Sequence, residues 1–356
     1  MIKILHAADL HLDAAFSALS AKQAVERRRE QRLALGRLRE ACAECDILLL
    51  AGDLFDNAHI YRDTLDALKE LFSSLKAKVF IAPGNHDYLT PASPYLTENW
   101  GENVHIFTSP SIERVHLEAL DCDVYGAAFT AMEMPALLRN FRVENPDCLN
   151  LMVLHGDLQA ASVYNPIDKE SVLASGLDYL ALGHVHTMSV EKFGQTTCAF
   201  PGCMMARGFD ECGEKGVLKV LLDKTRCLTE FLPLAPWRYE ILEVAVGSDP
   251  LSAITARLPQ NTENDCWRII LKGESEGIDL VALEMALKPK FYSLSLRDKT
   301  LPKTDLWATA GEDTLRGHFL RELKEEYDRA DEEDRQKMTM AARLVTALMD
   351  GREVVL

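Results

Sequence analysis

Five short apolar segments in the first 184 residues of the chain constrain its fold most strongly. They read IKILHAA, CDILLLAG, AKVFIAP, LNLMVLHG and LDYLALGH, and each has the length of one buried strand. The stretches between them have helical spacing and predict helices at about 23–43, 60–75, 134–140 and 169–176. Strands that alternate with helices indicate βαβ units around a buried sheet. We therefore predict an α/β fold.

Two later segments are typical of antiparallel hairpins. They read IERVHLEALDCDVYGAAF and GVLKVLLDKTRCLTEFLPL, and the second is predicted to turn between Asp223 and Arg226. Antiparallel pairs combined with βαβ units indicate mixed β-sheets flanked by helices, rather than a purely doubly wound fold.

The segment LPLAPWR at 232–238 contains two prolines that break the strand pattern, so we place a domain boundary there. Beyond it we predict strands at about 238–247, 266–274 and 291–297 and helices at about 250–258 and 278–288. Two amphipathic helices follow the segment LPKTD (301–305), at about 312–329 and 332–349, and Gly351 is predicted to end the second. The predicted domains are 1–235, a small α/β domain at 236–300 and a helical segment at 301–356.

The 356-residue chain has a formal net charge of −16. This charge argues against binding nucleic acid through the overall electrostatic field of the protein. A phosphate-bearing substrate would need a local positive centre, and a bound divalent cation would provide one.

The predicted location is the cytoplasm, without membrane association. No run of 18 apolar residues occurs, and the N-terminal MIKILHAADL does not have the pattern of a signal peptide. The nine cysteines are an odd number without the spacing of a disulfide framework, which favours reduced thiols.

Polar residues with metal-ligand chemistry follow or end each of the five apolar segments. Ligands of open α/β sheets bind beyond the carboxyl ends of the strands, so these side chains are predicted to meet in one crevice. They are Asp9, His11, Asp53, Asn85, His86, His155, His184 and His186.

Imidazole nitrogens with carboxylate and amide oxygens suit Mn, Fe, Zn or Ni better than Mg or Ca. The set has too many donors for one tetrahedral site, and two ions that share one carboxylate would use them. Each short motif alone also fits an ordinary turn, since Asp and Asn are common turn residues. The recurrence at five strand ends is what favours a metal centre.

These residues resemble the blocks of the calcineurin-like metallophosphoesterase family. The blocks read DLH at 9–11, GDLFD at 52–56, GNHD at 84–87, HGD at 155–157 and GHVH at 183–186, in the family order. The resemblance implies the metallophosphoesterase-type sandwich of β-sheets over about residues 1–235, with the 236–300 domain as a cap. Within the family, ILHAADLHLD, LLLAGDLFD, DYLALGHVH and GEKG (213–216) are similar to the SbcD-type DNA repair exonucleases, in particular their YhaO-like branch.

The resemblance also implies roles for the residues. One ion would be held by Asp9, His11, Asp53 and His186, and a second by Asp53, Asn85, His155 and His184. His86 would protonate the leaving oxygen instead of binding metal, and Asp56 would pair with His86. The segment CMMA at 203–206 departs from the Ser-Pro-Gln-Gly stretch of related nucleases, which puts any substrate contact there in doubt.

Partners are implied by the same resemblance. SbcD-type nucleases act on DNA, form homodimers and dock on the coiled coil of an SbcC-type ATPase through the C-terminal region. The C-terminal helices could equally pack on their own domain.

Two basic features permit both a substrate role and a structural one. The stretch at 22–42 carries several arginines on a predicted helix that could contact a DNA backbone, or could simply be solvated. Arg207 lies near the predicted crevice and is a candidate phosphate ligand.

The main functional hypothesis is a DNA exonuclease or endonuclease that depends on two divalent ions, with Mn favoured. One alternative is a phosphodiesterase or phosphatase for small nucleotides or phosphoproteins. The other is a scaffold subunit with a vestigial site, although no ligand of the family pattern is missing.

Overall fold

The computed structural model describes residues 1–57, 59–247, 249–275, 277–302 and 305–351. The helices are α1 (Ala21–Cys42), α2 (Arg62–Ser74), α3 (Pro94–Thr97), α4 (Lys169–Ser175), α5 (Pro250–Thr255), α6 (Leu280–Leu287), α7 (Leu315–Arg329) and α8 (Glu332–Met349). The strands of the first 245 residues are β1 (Ile2–Ala7), β2 (Ile47–Leu50), β3 (Lys78–Ile81), β4 (Val104–Ile106), β5 (Glu113–Leu117), β6 (Cys122–Gly126), β7 (Leu149–His155), β8 (Tyr179–Gly183), β9 (Ser189–Phe193), β10 (Thr196–Phe200), β11 (Gly216–Leu222), β12 (Cys227–Pro233) and β13 (Tyr239–Ala245). The remaining strands are β14 (Cys266–Lys272), β15 (Glu274–Ser275), β16 (Ser293–Asp298) and β17 (Leu301–Pro302).

Two mixed six-stranded sheets form the larger part of the chain. Their strand orders are β12-β11-β1-β2-β3-β4 and β5-β6-β7-β8-β10-β9. Strands β1 to β4 are parallel to one another, and β11 is antiparallel to both β1 and β12. In the second sheet β6, β7, β8 and β10 are parallel, with β5 and β9 antiparallel at the edges. The prediction of mixed sheets flanked by helices is confirmed.

The apolar runs are continuous because their strands are covered on both faces. In β2, Leu48 and Leu50 belong to a core that also contains residues of α1 and α2, whereas Ile47 and Leu49 belong to a core shared by both sheets. Successive side chains of a strand point to opposite faces, so each face must be apolar. A third core lies between the second sheet and α4. The result is a two-sheet sandwich with helices on the outside.

Most predicted elements are present within a few residues of their predicted bounds, but the helix expected at 134–140 is absent. That segment has an irregular backbone in the structure. The main-chain N–H of Met134 donates to Val163, and that of Leu137 donates to the Asn165 side chain. The loop around Val163 and Asn165 thus accepts main-chain hydrogen bonds that would have been made within a helix. These tertiary contacts outweigh the helical spacing of the apolar residues.

The chain divides into two compact units. The first consists of Met1–Glu243, Leu258–Ile270 and Glu284–Arg297, and the second of Val244–Arg257, Leu271–Leu283 and Asp298–Leu356. Residues 303, 304 and 352–356 of the predicted linker and helical segment lie outside the described residues. The predicted three-domain division stays a prediction.

The second unit contains the pair of C-terminal helices predicted from the sequence. Helix α8 ends as expected, because Gly351 follows it in the left-handed region with φ +66° and donates to Leu348. Within this unit the Arg343 guanidinium is ion-paired with Glu274.

Helix α1 uses its arginines mainly for internal contacts. The Arg27 guanidinium is 1% exposed and lies 4.2 Å from the Trp237 ring centre and 3.9 Å from that of Tyr292. Arg37 donates to the carbonyl of Leu234, and Arg28 donates to that of Ala14. Part of the arginine set thus supports the structure of the domain, whereas Arg29 and Arg39 are exposed. Contact of this helix with a DNA backbone stays a prediction.

Replacing Arg27 by Ala is expected to lower the free energy of unfolding by about 2–4 kcal/mol. The variant loses the contacts of the guanidinium with the Trp237 and Tyr292 rings and leaves a cavity in the core. Urea denaturation followed by circular dichroism measures this. Arg29→Ala is the matched control, since Arg29 is exposed on the same helix and should shift the midpoint little. Equal midpoints for both variants would contradict the proposed role of Arg27.

All nine cysteines are free, as predicted, including Cys42 and Cys45 of the C-x-x-C pair. The segment Cys203–Ala206 is fully buried, and the carbonyl of Ala206 accepts a hydrogen bond from the indole of Trp237. The departure from the family pattern therefore forms part of the core.

Candidate metal centre

The predicted ligands meet at one edge of the sandwich. The loops after β1, β2 and β3 carry Asp9, His11, Asp53, Asn85 and His86, while β7 ends at His155 and the loop after β8 carries His184 and His186. All five strands belong to the parallel portions of the two sheets, so their carboxyl ends lie on the same side.

The backbone at these positions is held in an uncommon conformation. Asp9, His11, Asp53 and His184 have φ values of 50°, 42°, 50° and 103°, in the left-handed region. Main-chain hydrogen bonds support it, since the N–H of Asp9 donates to Gly52 and that of His11 to the carbonyl of Asp53. Positive φ values are uncommon for non-glycine residues, and four of the ten such residues in the described part of the chain are these predicted ligands.

A first group of donors surrounds a point between two imidazoles. The Nε2 atoms of His11 and His186 are 3.2 Å apart. Asp53 Oδ2 lies 3.7 Å from His11 Nε2, and Asp9 Oδ1 lies 3.8 Å from His186 Nε2. Both carboxylates are buried.

The protonation of the two imidazoles determines what their facing Nε2 atoms can do. His186 uses Nδ1 to contact Glu211 at 2.7 Å, and His11 Nδ1 lies 3.1 Å from Asp56 Oδ1. If each Nδ1 carries the proton, both Nε2 atoms are lone-pair acceptors. Burial lowers the pKa of His11 to about 4, so this imidazole is neutral at pH 7. A cation bound between the two facing Nε2 atoms would resolve this conflict.

A second group has the same character. His155 Nδ1 donates to the carbonyl of Ala51 at 3.0 Å, which leaves Nε2 as an acceptor 2.8 Å from Asn85 Oδ1. Asp53 Oδ2 lies 3.5 Å from the same nitrogen. One oxygen of Asp53 thus faces both groups, as a bridging ligand would. The donors present fit divalent cations in chemistry and in arrangement.

The pKa values of the two central carboxyls move in opposite directions. Burial and the nearby charge of Asp53 raise the pKa of Asp9 well above its usual value. Burial also works against ionisation of Asp53, but the imidazoles of His155 and His11 keep its pKa low. Buried carboxylates in close contact require positive charge nearby, which is the contribution a metal ion makes.

His184 lies beside the second group. Its main-chain N–H donates to both oxygens of Asp9, at 3.0 and 3.1 Å. Its ring is 5.2 Å from that of His155 and 4.8 Å from that of Tyr164, centre to centre. Among the described residues it is absent from the groups whose ligand atoms lie within 4.8 Å of one another. Its role as a ligand stays a prediction.

His86 is exposed and projects beside the two groups. Its main-chain N–H donates to Asp53 Oδ1 at 2.9 Å. Its ring contacts Asp56, as predicted, but through the main-chain carbonyl, 3.1 Å from Nδ1. The Asp56 carboxylate instead contacts His11 and, at 2.6 Å, Arg207. The expected side-chain pairing of Asp56 with His86 is therefore corrected to a main-chain contact.

The loop that presents Asn85 and His86 is supported by Asp87. The buried Asp87 carboxylate accepts from the N–H of Gly84 at 2.7 Å, from that of Phe55 at 3.1 Å and from the hydroxyl of Tyr95. Gly84 itself has no space for a side chain, because a Cβ there would collide with the Asp53 carboxylate. This confirms a supporting role for Asp87.

Arg207 is ion-paired in this structure. Its guanidinium contacts Asp56 and, through Nη2 at 2.8 Å, Glu211. Contact with substrate phosphate stays a prediction for Arg207.

Glu211 was not predicted from the sequence. It is 4% exposed, and despite burial its pKa is held well below the usual range by His186 and Arg207. Metal-binding histidines usually donate their second N–H to a carboxylate, so a partner for His186 could be expected. Nothing in the spacing identifies Glu211 as that partner.

Two groups of buried acceptors that share one carboxylate lie at the carboxyl ends of strands in a two-sheet sandwich, an arrangement suited to a centre of two divalent metal ions. The sequence matches the family described as calcineurin-like phosphoesterase over residues 2–188, more than half of the chain. The chain therefore belongs to the calcineurin-like phosphoesterase family, and the donor groups described above fit the divalent metal ions that this membership implies.

Two proteins with similar sequences indicate the branch of the family to which the chain is related. A Bacillus subtilis protein named "Uncharacterized metallophosphoesterase YhaO" is 33% identical over 233 residues, which cover 60% of this chain and 56% of that protein. The SbcD component of the SbcCD nuclease of Staphylococcus epidermidis is 23% identical over 334 residues, covering 83% of this chain and 85% of that protein. The predicted resemblance to the superfamily and its SbcD-type branch is confirmed.

A solved structure of an archaeal phosphodiesterase has a TM-score of 0.36 and 15% identity to this chain, covering 65% of it and 100% of that chain. In the part of the chain that the structure describes, no helix combines the length and apolarity needed to cross a membrane.

Proposed function

We propose that the chain is a DNA nuclease that hydrolyses phosphodiester bonds with two divalent metal ions, with Mn favoured. The observation that carries this proposal is the pair of acceptor groups around Asp53, with the exposed His86 beside them. The first ion would be held by Asp9, His11, Asp53 and His186, and the second by Asp53, Asn85, His155 and His184. When bound, two such ions neutralise phosphate charge and lower the pKa of water so that it can serve as the nucleophile.

The chain's own residues supply the remaining chemistry. The Asp56 carbonyl holds Nδ1–H of His86, which leaves Nε2 free to carry the proton that the leaving oxygen needs. The N–H of His86 in turn fixes Asp53 Oδ1, so that Oδ2 stays turned toward the two acceptor groups. Proton donor and ligand are thus positioned by one short loop.

The surface around His86 favours an extended substrate. One cavity of about 580 Å³ is lined by residues that include Asn85, His86 and Tyr164. A second cavity of about 580 Å³ is lined by residues that include Arg207 and Arg268. Asp56 borders both cavities, so a chain of nucleotides could pass from one to the other. A small phosphomonoester would occupy only one of them.

Arg268 adds a cationic group to the second cavity. Its guanidinium carbon lies 4.1 Å from the Phe209 ring centre. Its buried Nε has no hydrogen-bond partner, and no ion pair of the side chain occurs among the described residues. An arginine in this state is suited to a phosphate of the substrate. In a chain of net charge −16, such local groups and the metal ions must supply the attraction for DNA.

We extend the proposal to the organisation of the protein. The nuclease domain would span 1–235, with a capping domain at 236–300 and a helical segment at 301–356 that docks on an SbcC-type ATPase. Exposed apolar side chains on α7 and α8, among them Leu315, Met340 and Leu348, support a partner for these helices. Homodimer formation and a cytoplasmic location belong to the same proposal and follow the SbcD-type resemblance.

Incubation of the full chain with Mn²⁺ and end-labelled single- and double-stranded DNA, beside bis(p-nitrophenyl) phosphate, tests the substrate. We expect cleavage of DNA and of the ester, and loss of both on chelation. Hydrolysis of the ester without any cleavage of DNA would replace the nuclease with a phosphodiesterase for small substrates. Absence of both activities in protein that binds Mn²⁺ would indicate a scaffold with a vestigial site.

A further inference from the structure

Five side chains form a closed ring around the first acceptor group. His11 Nδ1 lies 3.1 Å from Asp56 Oδ1, which lies 2.6 Å from Arg207 Nη1. Arg207 Nη2 lies 2.8 Å from Glu211 Oε1, which lies 2.7 Å from His186 Nδ1. The ring closes where the two Nε2 atoms approach to 3.2 Å.

Within the ring the Glu211 carboxylate orients the His186 imidazole through a hydrogen bond, and Arg207 connects the two carboxylates. The Asp56 carboxylate approaches His11 Nδ1 to 3.1 Å, but that nitrogen has no hydrogen-bond partner, so Glu211 is the main support of the first group. Glu211 is nearly inaccessible, and a second contact, from the main-chain N–H of Arg207 to its Oε2 at 2.7 Å, fixes its position. Arg207 also balances the negative charge that Asp56 and Glu211 would otherwise place side by side. An imidazole bonded to a carboxylate is a stronger metal donor, and loss of such a partner typically weakens metal affinity about 10–100-fold.

The second acceptor group has no comparable support. His155 Nδ1 donates to a neutral main-chain carbonyl, and Asp9 Oδ1 is 4.0 Å from that nitrogen, beyond hydrogen-bond distance. Asn85 contributes a neutral amide oxygen. In the described ranges, no carboxylate accepts a hydrogen bond from the imidazole of His155 or His184.

We infer that this asymmetry makes the two ion sites unequal. The first site, braced by Asp56, Arg207 and Glu211, binds a divalent ion more tightly than the second. Glu211 and Arg207 are positioning residues for that site. The inference rests on the two-ion centre proposed above and is independent of DNA as the substrate.

Titration of the metal-free full chain with Mn²⁺, with free Mn²⁺ followed by electron paramagnetic resonance, tests this without any substrate. Two classes of site are expected in the unmodified chain. Glu211→Gln should weaken the tight class about 10–100-fold and leave the weak class unchanged. Asn85→Ala should remove or weaken only the weak class, which identifies the two classes with the two groups of residues. Glu118→Gln is the matched control, because Glu118 is exposed and is not one of the residues of either acceptor group.

A purely structural role for Glu211 has a different signature. It would lower the melting temperature of the metal-free chain and weaken both classes together. Asp56→Asn provides a second variant if Glu211→Gln fails to fold, and it should weaken the same class. Two equal classes in the unmodified chain, or a Glu211→Gln chain with both affinities unchanged, would overturn the inference. Failure to cleave DNA while the two classes behave as expected would contradict the nuclease proposal alone.

Discussion

Asp53→Ala is expected to empty the centre of metal and to abolish hydrolysis. Asp53 Oδ2 approaches the ligand nitrogens of both acceptor groups, at 3.7 Å from His11 Nε2 and 3.5 Å from His155 Nε2. Its other oxygen receives the N–H of His86. Removal of this carboxylate would therefore take a ligand from each ion. It would also remove the hydrogen bond that holds the loop of Asn85 and His86 in place. Elemental analysis after dialysis against Mn²⁺ measures the first effect, and ester hydrolysis measures the second.

The matched control is Asp63→Asn on the exposed start of α2, which should keep both metal and activity. An Asp53→Ala chain that retains two bound ions would contradict the bridging role. A chain that has lost its metal because it no longer folds is recognised by its circular dichroism spectrum.

His86→Ala is expected to retain metal and to lose about 10²–10⁴-fold in turnover of DNA, the usual contribution of a general acid. A ligand atom of His86 also lies within 4.8 Å of those of His11 and Asp53, which is close enough for a shared ion. Metal content therefore separates a proton donor from a ligand. If the variant binds no metal, His86 belongs to the ligands and the division of roles is wrong.

The choice of substrate makes this test sharper. A p-nitrophenolate leaving group needs little protonation, whereas a nucleoside hydroxyl needs much. The loss in the His86→Ala chain should thus be much smaller for bis(p-nitrophenyl) phosphate than for DNA. Equal losses on the two substrates would indicate that His86 positions the phosphate rather than protonates the leaving oxygen.

The sequence predicts the sandwich and the convergence of ligands because both follow from short-range patterns. A buried parallel strand has to be apolar on both faces, as β2 is, and the residue after it lies at the ligand edge of the sheet. The positions of Asp9, Asp53 and His155 are consequences of where their strands end.

What the sequence misses depends on contacts between distant segments. Glu211 reaches His186 from a loop 25 residues away, and no periodic pattern connects the two. The family resemblance implies that Asp56 pairs with His86, but it does not show that the contact runs through the main-chain carbonyl of Asp56. Arg27 turns inward because Trp237 and Tyr292 enclose it, which its own helix cannot show.

The positions of the metal ions test the central claim most directly. Crystals of the full chain grown with Mn²⁺ should give two anomalous-diffraction peaks, one among Asp9, His11 and His186 and the other beside Asn85 and His155, with Asp53 between them. His86 should contact neither ion. A single peak, or a peak bound by His86, would contradict the two-ion centre on which the proposed activity rests.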